Sequence, residues 1–308
     1  MTGTILITGA SGFIGSALAK RCLTEEMPII ATARRRTDVL SRDLGISVTP
    51  LDVMGALPDF GGVDTLVHCA TPNDIQSRAD DGALPLAVVG TQRLLHHAAQ
   101  HGVRRIVYLS TLQVYGTELS GTVDEQTPVR CETLYGLNHY LGEEVCRYIA
   151  HTTEIDVVVL RPSNVYGVPV ATTVERDTLV PMCFVKEACQ TGAVSLRSSG
   201  RQRRNFVSTD EVAETILTLL RGFPNGYNIV NAVSGWTVSI RDIADMVGQV
   251  WMNEMAKPLD VKILSEHPAR ANDFDVRSLH TLPRLSPGAS RARMASVITH
   301  LIHMHTQP

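Results

Sequence analysis

The sequence has 308 residues, enough for one large α/β domain or two modest ones with a sizeable core. Apolar residues make up 44% and charged residues 19%, ordinary values that exclude an extended disordered chain. With 28 basic against 31 acidic residues the formal charge is −3, so no global charge points to nucleic acid or a membrane surface as partner. The basic side is uneven, because Lys20, Lys186, Lys257 and Lys262 are the four lysines against 24 arginines.

The segment 4–8 (TILIT) is a short apolar run suited to a buried parallel strand, and a glycine-rich turn leads from it into a helix over 13–23. Further strands are expected at 29–33, 47–51, 63–70, 105–110 and 156–160, with helices over 84–100 and 134–150. This βα alternation predicts a doubly wound parallel sheet in an α/β fold. Beyond about 165 the pattern loosens: helices near 178–190, 210–221 and 239–254 separate short strands near 194–197, 227–230 and 260–264. The expected organisation is a dinucleotide-binding domain over 1–165, with returning segments near 200–232, and a smaller substrate-binding α/β region over 166–308.

The six cysteines, Cys22, Cys69, Cys131, Cys146, Cys183 and Cys189, form no CxxC pair and suit neither a zinc ribbon nor a disulfide framework. They read as reduced thiols of a cytoplasmic protein. No charged segment precedes an apolar one at the N-terminus, and no apolar run approaches the roughly 20 residues of a membrane helix. No signal peptide, membrane span or metal centre is therefore expected. His300, His303 and His305 read as a solvated helix end.

The first turn reads Thr8-Gly9-Ala10-Ser11-Gly12-Phe13-Ile14-Gly15. In this strand-to-helix context Gly9 permits the tight turn, Gly12 lets the backbone approach a pyrophosphate, and Gly15 lets the helix pack close to the sheet. The helix N-terminus then offers free N–H groups to phosphates. The second strand ends in Arg34-Arg35-Arg36, with no carboxylate for a ribose 2′-hydroxyl. Guanidinium groups suit a 2′-phosphate, so NADP(H) is the expected cofactor, with NAD(H) as the second choice. Asp52, followed by Val53, is placed to meet the adenine amino group.

Together with VHCA at 67–70, STLQVYG at 110–116, Tyr135 and its helix, LRPSNVYG at 160–167, RNFVSTDEVA at 204–213, YNIVNA at 227–232 and the Arg270–Asp273 spacing, the turn resembles the extended short-chain dehydrogenase/reductase family. The likeness is to its nucleotide-sugar epimerase/dehydratase branch and implies a Rossmann-type sheet and a cytoplasmic homodimer built on the helices over 84–100 and 134–150. It also implies catalysis by a Ser/Thr, a Tyr and a Lys. Thr111 takes the hydroxyl role and Tyr135 the acid/base role, but the YxxxK lysine is replaced by His139. The resemblance places cofactor contacts at Gly9, Ser11, Gly12, Phe13, Ile14, Gly15, Arg34, Arg35, Asp52, Val53, Cys69, Ala70, Tyr135, His139 and Pro162. It places substrate contacts at Thr111, Asn164, Arg204 and Arg270, the two arginines meeting a diphosphate, and Thr71 is added to them by its position alone, just after VHCA.

Sugar-nucleotide dehydratases of the family carry an Asp–Glu pair after the Thr, where this chain has Leu112-Gln113. The expected reaction is therefore NADPH-linked 4-ketoreduction or C4 epimerisation of a nucleotide-linked sugar, not 4,6-dehydration. Two alternatives stand beside it: reduction of a non-nucleotide ketone of secondary metabolism, and a catalytically impaired cofactor-binding protein, raised by His139.

Overall fold

The computed structural model describes residues 3–306 apart from 36, 80–81, 171–173, 175 and 266–271. The first half contains β1 (Thr4–Thr8), α1 (Phe13–Thr24), β2 (Ile29–Ala33), α2 (Thr37–Leu44), β3 (Val48–Pro50), β4 (Val63–His68), α3 (Asp74–Ala79) and α4 (Ala83–Pro85). A π-helical turn (Leu86–Gly90) leads into α5 (Thr91–Gln100) and β5 (Arg105–Leu109), followed by a 3-10 turn (Leu112–Tyr115), β6 (Gly121–Val123) and α6 (Leu134–Thr152). Then come β7 (Asp156–Pro162), β8 (Asn164–Tyr166), α7 (Met182–Thr191), β9 (Ala193–Leu196), β10 (Arg203–Ser208), α8 (Thr209–Arg221) and β11 (Tyr227–Ala232). The chain closes with β12 (Thr237–Ser239), α9 (Ile240–Met255), β13 (Asp260–Ile263), β14 (Phe274–Val276) and α10 (Pro287–Thr306).

Seven strands form one parallel sheet in the order β11-β7-β5-β4-β1-β2-β3, the α/β architecture expected from the sequence. Its central strands are apolar without alternation because both faces are covered. Ile5, Ile7, Val67, Val107, Leu109 and Val158 pack with Leu18 of α1 and Val212, Ile216 and Leu220 of α8. On the opposite face Leu6, Leu66, Ile106, Tyr108, Val157 and Val159 pack with Leu94 and Leu95 of α5 and Cys146 and Ile149 of α6. The helix expected over 84–100 is interrupted instead. Pro85 has no N–H to donate, and the ladder widens into a π turn that ends at Gly90, where a Cβ would lie 2.8 Å from Val53 Cγ2.

Beyond the sheet a second apolar cluster joins Tyr166, Met182, Val185, Phe206, Ile243, Val247, Trp251, Met294 and Ile298. Strands β12, β10 and β8 make a small sheet beside it. Asn205 of β10, fully buried, rivets the surrounding loops. Its Oδ1 accepts from Ser163 Oγ at 2.8 Å and from the Ser234 N–H at 3.2 Å, and its Nδ2 donates to the Ser234 carbonyl at 3.0 Å. Among the described residues no helix is long and apolar enough to cross a membrane. His303 pairs with Glu254 at 2.8 Å, and no group of three or more potential metal ligands occurs among the described residues.

Candidate active site

A cavity of about 820 Å³ opens at the carboxyl ends of β1, β2, β4, β5 and β7, the crevice position expected for an open parallel sheet. Gly9 has φ +67°, and a Cβ there would stand 2.8 Å from the Ala70 nitrogen. A Cβ on Gly15 would stand 2.3 Å from the Gly9 carbonyl oxygen, so α1 approaches β1 only because both positions are glycine. Gly12 caps α1 without a side-chain hydrogen bond and no acidic residue lies in the first turn, which leaves the N-terminal N–H groups to a ligand.

The described candidate residues converge on this one cavity. Gly9, Ser11, Gly12, Phe13, Ile14 and Gly15 line it at one end, beside Arg34, Arg35, Asp52 and Val53. Arg34 and Arg35 are exposed at the end of β2. Cys69, Ala70, Thr71, Thr111, Tyr135, His139, Pro162, Asn164 and Arg204 line the remainder. Arg36 and Arg270 lie outside the described residues.

Thr111 lies two residues beyond β5 and caps the 3-10 turn: its Oγ1 accepts from the Gln113 N–H at 3.2 Å, which leaves the hydroxyl proton free to point elsewhere. Tyr135 is half-buried in the first turn of α6. Burial raises its phenol pKa, while the Thr111 hydroxyl and the Arg176 charge pull it back down. One helical turn on, the His139 ring meets the Tyr135 ring edge-on, 4.6 Å between centroids. Burial drives the His139 imidazole down to about 4, against the pull of the Leu109 and Pro72 backbone, so it is neutral at pH 7. Its Nδ1 has no hydrogen-bond partner. His68, buried behind it, is satisfied on both nitrogens, by Thr8 Oγ1 at 2.8 Å and Thr91 Oγ1 at 3.2 Å, and is pushed down to about 3 by burial and then by His139.

One turn further along α6, Glu143 is fully buried with Arg161 of β7. Arg161 Nε donates to Glu143 Oε1 at 2.9 Å, Arg161 Nη2 donates to Oε2 at 2.5 Å, and the Ser110 hydroxyl also donates to Oε1. The Arg161 guanidinium lies 4.8 Å over the Tyr115 ring. This cluster ties α6 to the ends of β5 and β7, next to Thr111 just past the first strand and Pro162 at the end of the second. Gly142 lets the helix settle there, since a Cβ would fall 2.1 Å from Tyr108 Oη.

On the far side of the cavity Arg204 is largely buried. Its Nη1 donates to the Arg203 carbonyl at 2.9 Å, and desolvation lowers its pKa. Arg203 beside it is engaged with Asp273 at 2.5 Å. Asn164 Nδ2 donates to the Asn205 carbonyl at 2.9 Å, so part of that side chain is spent on holding β8 to β10.

Residues 5–232 match the model of the NAD dependent epimerase/dehydratase family. The chain belongs to that family. As an epimerase/dehydratase family member it is an enzyme of the extended short-chain dehydrogenase/reductase, nucleotide-sugar branch. It is 26% identical over 242 residues to the uncharacterized UDP-glucose epimerase YtcB of Bacillus subtilis (strain 168), covering 70% of this chain and 72% of that protein. It is likewise 26% identical over 289 residues to a dTDP-4-dehydro-6-deoxy-D-allose reductase of Streptomyces sp, covering 87% and 86%. Among solved structures, MoeE5 in complex with UDP-glucose and NAD superposes with a TM-score of 0.80 at 22% identity, covering 99% of this chain and 100% of that one, a likeness of fold.

Four residues of this family member's site carry no mark in the local sequence pattern. Asp74, Gln76 and Arg78 of α3 and Arg176, before α7, also line the cavity. Glu143 did leave a signal: it stands four residues after His139 and eight after Tyr135, on one helical stripe.

Proposed function

We propose that this family member is an NADPH-linked reductase of a nucleotide-linked keto sugar, with the 4-position as the reacting carbon. The observation that carries the reading is the Thr111–Tyr135 pair, set in the same cavity as the glycine turn, with a neutral imidazole at 139. With a neutral imidazole at 139 instead of an ammonium group, nothing at that position favours the phenolate, so Tyr135 is protonated at neutral pH and can give a proton, as reduction requires; epimerisation begins by removing one. The residues fit a dinucleotide: the glycine cradle and the uncapped α1 N-terminus face the space it would fill, and His139 stands on its wall.

When bound, NADPH supplies a hydride to the carbonyl carbon. Tyr135 Oη gives its proton to the carbonyl oxygen while Thr111 Oγ1 holds that oxygen by a hydrogen bond. Arg34 and Arg35 hold a 2′-phosphate, and Asp52 meets the adenine. His139, which lines the cavity in the lysine's place, meets the nicotinamide ribose. Arg204, desolvated and facing the cavity, neutralises the substrate diphosphate, assisted by Arg270 and by the remaining capacity of Asn164. Leu112 and Gln113 offer no carboxylate for removing water, which argues against 4,6-dehydration. The dinucleotide-binding part spans 1–165 with the returning strands, and 166–308 supplies the substrate side.

Titration with NADPH and NADH, followed by turnover on a nucleotide-linked 4-keto sugar, tests this. Tighter NADPH binding, weakened by Arg34→Glu and Arg35→Glu, is expected. Tighter NADH binding removes the 2′-phosphate assignment. Interconversion of C4 epimers without net cofactor consumption replaces reduction by epimerisation.

A further inference from the structure

Losing the lysine removes a positive charge from the neighbourhood of Tyr135, and the neutral, buried His139 does not restore it. A cation does stand nearby, on a different element. Asn138 of α6 donates through Nδ2 to Ser77 Oγ of α3 at 3.2 Å, fixing the two helices against each other beside His139. One turn back along each helix lie Tyr135 on α6 and Asp74 on α3, both on the cavity wall. Asp74 Oδ1 in turn holds Arg176 Nη1 at 3.7 Å, a charge contact too long for a hydrogen bond, with both side chains mostly buried. The guanidinium is thus tethered on the wall of the cavity that Tyr135 and Thr111 also line, while its donors stay uncommitted to Asp74.

We propose that Arg176, anchored by Asp74, is a positioning residue that supplies beside Tyr135 the positive charge which the family's YxxxK lysine otherwise provides. The role of that lysine is then divided in this chain: ribose binding goes to His139 and electrostatic support of the phenol to Arg176. This rests on Tyr135 being the proton donor of the proposed reaction. The groups facing the phenol are the Thr111 hydroxyl from just past β5, the His139 ring from α6, Arg176 and Asp74 from the cavity wall, and the Tyr108 ring behind. Among the described residues of that set Arg176 is the cation. It acts in the lysine's direction, making the proton easier to release, whereas Asp74 acts against it.

The test is a spectrophotometric phenol titration of the full chain, with the Tyr135→Phe protein subtracted to isolate Tyr135. Arg176→Gln is expected to move that titration upward by about one pH unit, and Arg176→Lys, which keeps the charge, to leave it near its starting position. In turnover, Arg176→Gln should shift the Tyr135 limb of the kcat profile by the same amount, with NADPH affinity unchanged. An unmoved titration in Arg176→Gln overturns the proposal. So does a raised substrate KM with kcat and its pH limb unchanged, which makes Arg176 a substrate ligand only. The titration uses no substrate, so its outcome is separate from that of the nucleotide-sugar assignment.

Discussion

His139 and His68 sit buried and neutral near the Tyr108 ring, 6.4 and 5.7 Å from it between centroids. Each has a folded-state pKa below the ordinary imidazole value of about 6.5, at about 4 and about 3. The unfolded chain therefore binds protons that the folded chain refuses. Stability is full above pH 6.5 and falls as the pH drops through the window from 6.5 to about 4 for His139 and to about 3 for His68. Over those windows the loss is about 3 kcal/mol for His139 and about 5 kcal/mol for His68. Urea unfolding midpoints measured between pH 7.5 and 4.5 should fall steadily, and His139→Gln should flatten the slope. A slope unchanged by that substitution would show that the imidazole is charged in the native protein. The lysine deficit of the composition thus has a local counterpart: at position 139 an ionisable group is held uncharged, and the missing charge is sought elsewhere.

Helix α6 carries Tyr135, His139 and Glu143 along one stripe, and the Glu143–Arg161 pair sets that stripe's height against the strand ends. Removing one member leaves the other charge buried alone, at about 3–5 kcal/mol. Glu143→Ala should therefore lower the thermal midpoint sharply, while a double replacement by Leu and Met should recover much of the loss without restoring activity. Full activity in the double variant would mean that the pair does not register Tyr135. The Tyr135–His139 pair and the glycine turn were legible because both follow short spacings, whereas Glu143 was not singled out, and all the central strands appear within two residues of their expected bounds. Other parts were not legible for physical reasons. Strands β6, β8, β12 and β14 have three residues each, too few to display a period. The Asp74–Arg176 contact joins residues about a hundred positions apart, and nothing local in either segment announces it. The π turn depends on how closely Gly90 approaches Val53, a tertiary distance.

Across the whole molecule, the outward faces of the helices flanking the sheet leave apolar side chains uncovered. Leu134, Leu137 and Tyr148 of α6 are exposed, as are Leu84 and Val89 ahead of α5, and Tyr148 reaches the His96 ring at 6.3 Å, joining the two helices into one patch. Such a patch fits a second copy packing helix on helix, so sedimentation should give a dimer, and Tyr148→Glu should give a monomer that still binds cofactor. A monomer in the parent chain would leave the patch without that role. The Asn205 rivet has its own consequence at this scale. It draws on Ser163, Ser234 and the β12 approach at once, so the stretches that shape the far side of the cavity are cross-stitched rather than modular. A chimera with a junction that parts Asn205 from Ser163 or from 234–237 cuts through those stitches. Substrate range in this scaffold is therefore altered with least damage by point changes on the cavity wall, and a transplanted loop must bring both sides of the seam with it.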